Sequence, residues 1–129
     1  MKIQYKRIHH VQICIEHGLE DEAREFYTNV LQMEEIKKPD SLIANGGLWY
    51  RVGDIELHIG TESRDNISES KRHPAFEVQN LQEARQYLIG KGISINDEKP
   101  IPNMDRFSFR DPFGNRIELL ETKTKEKNK

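Results

Sequence analysis

Between Ile8 and Ile15 apolar and polar residues alternate, with Val11, Ile13 and Ile15 on one face and His10, Gln12 and Cys14 on the other. This is the period-two signature of a half-buried strand. From Glu20 to Leu31 the apolar residues Ala23, Phe26, Tyr27, Val30 and Leu31 recur at i, i+3, i+4, i+7 and i+8. That spacing predicts an amphipathic helix able to cover one face of a sheet, and its first turn is acidic, as the helix dipole favours. After Pro39 and Asp40, the segments Ser41 to Ala44, Leu48 to Val52 and Ile55 to Ile59 are separated by Gly46-Gly47 and Gly53-Asp54, which predicts a three-strand meander. The first half therefore reads βαβββ.

The same order recurs beyond a polar linker at about 61–72. His73 to Val78 reads as a strand, Leu81 to Ile89 as a helix, and Ile93 to Asn96, Asp105 to Arg110 and Arg116 to Glu121 as strands, with Asp111-Pro112-Phe113-Gly114-Asn115 as the last turn. The helix segment Glu83-Ala84-Arg85-Gln86-Tyr87 mirrors Glu22-Ala23-Arg24-Glu25-Phe26, an offset of 61 from 83 minus 22. Pro74 cannot donate to a ladder, so its strand is expected at an edge or with that amide facing away. The expected organisation is one α+β domain over 1–122, built from module one at about 6–60 and module two at about 73–122. The tail at 123–129 has nothing to bury and is expected to be disordered.

Composition narrows the function classes. Lys plus Arg number 20 and Asp plus Glu 22, so no one-signed field calls for nucleic acid or an anionic membrane. A single cysteine rules out an intrachain disulfide framework, and no apolar run resembles a leader or a membrane span. These features point to no macromolecular partner and predict a soluble cytoplasmic protein.

The chemistry-bearing pattern is a His followed by an Ile-Glu-Leu strand, present twice. His10 precedes Glu56 by 46 residues and His73 precedes Glu118 by 45. Strand alternation places Ile55, Leu57 and Ile59 under the helices, which leaves Glu56 and His58 opposite; Ile117 and Leu119 likewise leave Glu118 opposite. Imidazole and carboxylate are donors for a borderline divalent ion, and two such halves supply four ligands. The plain alternative is that these faces meet water.

Ile8-His9-His10-Val11-Gln12-Ile13, the helix segment Glu25 to Met33, His73-Pro74-Ala75-Phe76-Glu77-Val78 and Asp111 to Leu119 together resemble the vicinal oxygen chelate superfamily of glyoxalases, fosfomycin-resistance transferases, bleomycin-resistance proteins and extradiol dioxygenases. The resemblance spans residues 6 to 122. It implies paired βαβββ modules whose mixed sheets curl into an open cup with helices outside. It also implies His10, His73 and Glu118 as metal ligands, with Glu56 in the fourth position or His58 replacing or assisting it, and it points to a homodimer.

Two imidazoles and one or two carboxylates leave open positions on Fe, Mn, Ni, Co or Zn, so a substrate with adjacent oxygens can chelate. The expected function is a metal-dependent lyase, isomerase or transferase with Glu118 or Glu56 as the base. Arg51, Arg106 and Arg110 are candidate holders of an anionic group, or solvated strand charges, and Trp49 is a candidate cavity wall or a core aromatic. The rival expectations are a metal-free drug- or metabolite-binding protein and a small dioxygenase.

Overall fold

The computed structural model describes residues 1–63 and 69–123. The expected tail from 124 onward and the centre of the expected linker, 64–68, lie outside the described residues. The chain divides into two compact units, Met1–Asp65 and Asn66–Lys129.

The first unit runs β1 (His10–Glu16), α1 (Glu20–Arg24) continuing as a π-helical turn (Glu25–Val30), β2 (Glu34–Ile36), a 3-10 helix (Asp40–Asn45), β3 (Leu48–Val52) and β4 (Ile55–Glu62). Its mixed sheet has the order β1-β4-β3-β2, with β1 parallel to β4 and the other pairs antiparallel. Two expectations change here. The segment Ser41 to Ala44 is helical, and the outer strand of the meander is Glu34–Ile36, which pairs with Trp49 to Arg51. Only three residues long and largely exposed, β2 carries too little alternation to be read from the sequence. The predicted helix also changes type halfway, with the Leu31 amide donating to the Phe26 carbonyl five residues back at 2.8 Å. A wider turn rotates less per residue, so consecutive side chains stay on the core side. Phe26 and Tyr27 are both buried, and Thr28 reaches the hydroxyl of buried Tyr50 at 2.8 Å.

The second unit repeats the plan with β5 (Ala75–Glu77), α2 (Leu81–Gly90), β6 (Asn96–Asp97), β7 (Met104–Arg110) and β8 (Arg116–Thr122) in the order β5-β8-β7-β6. Asn80 caps α2 by accepting from the Glu83 amide at 3.0 Å, while Glu121 accepts from the Leu81 amide at 2.9 Å. Pro74 stands just before edge strand β5, where its missing donor costs nothing, and its carbonyl accepts from the Glu118 amide at 3.0 Å. The turn before β8 is organised by buried Asp111. Its carboxylate accepts from the Phe113 and Asn115 amides at 2.9 and 2.7 Å and from the Asn115 side chain at 2.9 Å.

The cores give the true correspondence of the repeats. In the first unit Leu48 faces Ile59 and Tyr50 faces Leu57 across β3 and β4; in the second Phe107 faces Leu119 and Phe109 faces Ile117. All eight are buried. Between these pairs stand Trp49 with His58 and Ser108 with Glu118. On the parallel side Ile13 faces Ile59 as Phe76 faces Leu119, and three residues before Ile13 and Phe76 are His10 and His73. The two histidines are thus equivalent, but the counterpart of Glu118 is His58. The shared Ile-Glu-Leu spelling aligns the wrong residues by two. Because strand side chains repeat every two residues, a shift of two preserves every face and leaves no trace in the hydrophobic pattern.

Candidate functional site

In the first unit β1, β4 and β3 bring three rings into a stack. The His58 ring lies 3.9 Å from Trp49 at an interplanar angle of 4° and 4.0 Å from His10 at 15°, so it is buried between them. His58 Nε2 meets Glu56 Oε1 at 3.0 Å, and this hydrogen bond is the first reason that the Glu56 carboxyl sits below its ordinary range. Water lost around His10, then repulsion from His58 and His9, holds the His10 imidazole below its ordinary value. His9 stands beside His10. It precedes β1, and its Nδ1 lies 3.1 Å from that of His10. One of these nitrogens donates to the other.

These residues border a cavity of about 510 Å3 whose wall includes Trp49, Gln12, Lys38, His10 and His58. That volume suits a small organic ligand. Lys38 is the residue that sequence reasoning passed over. Its only signal was a position just outside the short strand β2, among charges that read as solvated.

In the second unit His73 lies just before β5, with Nδ1 2.8 Å from the Lys71 carbonyl and Nε2 3.1 Å from Glu118 Oε1. A carbonyl accepts only, so Nδ1 carries the proton, and in the neutral ring Nε2 presents its lone pair toward Glu118. Glu118 is buried and also receives Arg106 Nη1 at 3.4 Å. Arg106 donates through Nη2 to the Lys99 carbonyl at 3.2 Å, and its buried Nε has no hydrogen-bond partner among the described residues. Glu98, held by the Ser108 hydroxyl and then by Arg116 at 3.0 Å, has its carboxyl pulled below the ordinary range.

Arg51 is exposed, across from Glu56 in the β3–β4 ladder. Arg110 donates to the Gly114 carbonyl at 3.0 Å and so supports the turn before β8. Cys14 lies on β1 with the Gln12 amide 3.8 Å from its sulfur, and burial raises its thiol pKa. Among the described residues no group of three or more His, Cys, Asp or Glu is arranged to hold an ion. Among them the histidine–carboxylate contacts of the two units are single pairs: His58 with Glu56 in the first and His73 with Glu118 in the second. Among the described residues no helix is long and apolar enough to cross a membrane.

No curated protein sequence matches the chain. Among solved structures it is similar to a glyoxalase family protein from Bacillus anthracis, with 45% identity, 95% of this chain and 100% of that chain covered, and a TM-score of 0.88. The fold is shared with a lactoylglutathione lyase from Agrobacterium tumefaciens at 19% identity, covering 92% and 95%, with a TM-score of 0.71. It is shared equally with an antibiotic-binding protein from a Streptomyces species at 15% identity, covering 94% and 99%, with a TM-score of 0.72. The Glyoxalase/Bleomycin resistance protein/Dioxygenase family model matches residues 7–119, and with the paired βαβββ units this places the chain in that superfamily.

Proposed function

We propose that this protein is a metal-dependent lyase, isomerase or transferase acting on a small molecule with adjacent oxygens. The observation that carries the reading is the His73–Glu118 pair. Two lone-pair donors converge at 3.1 Å, with the imidazole tautomer fixed by the Lys71 carbonyl. Neutral imidazole and carboxylate repel at that distance unless a proton or a cation stands between them, and a divalent ion accepts both. His10, as the counterpart of His73, and His58, as the counterpart of Glu118, are proposed to complete the donor set.

A bound divalent ion supplies Lewis acidity at the substrate oxygens. The chain's own groups then handle the proton. The hydrogen bond from His58 holds the Glu56 carboxyl below its ordinary range and fixes its orientation, and Glu56 is proposed to take up the substrate proton. Arg106 holds the charge of Glu118 and orients it.

Elemental analysis of protein purified without added metal tests this directly. The expected result is about one divalent ion per site. His10→Ala and His73→Ala should each abolish binding, and His58→Ala should weaken it more than Glu56→Ala. Full occupancy in the His10→Ala/His73→Ala double variant would sink the reading.

A second reading, a metal-free binding protein, is favoured by one observation: the cavity beside Trp49 is walled and supplied with donors by the first unit alone. Survival of small-molecule stabilisation in excess chelator would support it over the first.

A further inference from the structure

We infer that the cavity of the first unit takes an organic anion, a carboxylate or a phosphonate, with Lys38 as its charge anchor and Trp49 as its apolar wall. The inference rests on reading this cavity as the ligand end of the proposed site. No Asp or Glu is among the residues that line it. Glu20 is engaged by the Gly47 amide at 2.9 Å, and Glu56 by His58 at 3.0 Å. The wall instead offers N–H donors from Gln12, Asn45 and the histidines, and one permanent cation, Lys38.

The ammonium of Lys38 donates to the Gly46 carbonyl, which uses one of its three donors on a neutral acceptor. It has no ion-pair partner among the described residues. Its neighbour Lys37 differs on both counts: it is exposed and lies 3.8 Å from Asp40. Lys38 is only partly exposed, so its charge is less well solvated, and an incoming anion would meet a cation that needs no exchange of partners. The neighbouring Trp49 ring offers apolar surface to the rest of the molecule.

Trp49 is the only tryptophan of the chain, so its fluorescence reports on this cavity alone. Quenching by iodide, caesium and acrylamide should be compared at matched ionic strength in excess chelator, which removes any contribution from a metal. Each ion's constant is scaled to its quenching of free N-acetyltryptophanamide, and on that scale iodide should quench Trp49 more strongly than caesium. Lys38→Gln should abolish that preference while leaving acrylamide quenching unchanged, and Lys38→Arg should retain it.

Phenylphosphonate or phenylacetate should protect Trp49 from iodide, and dimethyl phenylphosphonate should not. Lys38→Gln should weaken the anion by about tenfold, the effect of losing one charge-assisted contact. Protection by only one of the two anions supports the proposal and identifies the anionic group. Equal quenching by iodide and caesium, an unchanged iodide constant in Lys38→Gln, or protection by neither anion overturns it. Because the measurement is made without metal, a failed metal analysis leaves its outcome standing, and the reverse also holds.

Discussion

Asp111 joins a turn to a strand by burying a carboxylate whose two oxygens accept three hydrogen bonds from Phe113 and Asn115. Asp111→Ala would strand buried amides without acceptors, so a loss of about 2–4 kcal/mol is expected. Asp111→Asn, which keeps one acceptor oxygen, should lose less, and urea midpoints would rank the two. The sequence marks this segment as a turn through its Asp, Pro, Gly and Asn. It does not mark Asp111, Phe113 and Asn115 as buried, because turn residues carry no periodicity from which burial can be read. His10, His73 and Glu118 were legible as candidates from the repeated His and Ile-Glu-Leu spacing combined with strand alternation. His58 was visible on the right face, but its sandwiched place between His10 and Trp49 depends on neighbours that only strand pairing brings together.

At the level of elements, the long alternating or amphipathic segments were readable and the short ones were not. Strands β3, β4, β7 and β8 and helix α2 have enough residues for a face to declare itself. Strand β2 does not, the 3-10 segment lacks a clear face of its own, and the π-helical turn shares its apolar spacing with an ordinary helix. Gly47, where the 3-10 segment enters β3, has φ of +90°, and a Cβ there would stand 2.2 Å from the Ile59 carbonyl oxygen. Backbone of a central strand cannot step aside, so Gly47→Ala should destabilise the first unit by about 2 kcal/mol or more. At Gly60 the nearest obstacle is the flexible end of Gln12, at 2.4 Å. Gly60→Ala should therefore cost less, a contrast that paired thermal melts would read.

Across the whole molecule, the twice-told βαβββ order gave the fold class, since two weak patterns in the same sequence constrain each other. It could not give the pairing of the repeats, because the hydrophobic code of a strand has period two. The titrating groups set a second molecular property. Asp97, held by Arg85, and Glu98, held by Ser108 and Arg116, have carboxyls below their ordinary values, so the unfolded chain takes up protons first as pH falls. Their stabilisation is present above about pH 4.5 and is lost on descent through the folded values. Burial raises the hydroxyl of Tyr50 and the thiol of Cys14, so the unfolded chain ionises first on the alkaline side. Their contribution is present below the ordinary values of 9.0 for Cys14 and 10.0 for Tyr50 and declines above them. His10, also held below its ordinary value of 6.5, adds a loss of stability as pH falls under that value. Chemical denaturation at a series of pH values should therefore give a plateau only between about pH 6.5 and 9.0, and a stability that rose below pH 4.5 would contradict it.

The two-residue offset between the repeats also bears on how such a site changes over time. A donor on β4 can move from position 56 to 58 without altering which side chains enter the core, whereas a move of one residue would turn it inward among Leu57 and Ile59. Glu56 and His58 stand two residues apart on one face of β4, with Oε1 and Nε2 3.0 Å apart. Ligand identity in a unit of this kind can therefore drift along the strand in steps of two while the packing that specifies the fold stays untouched.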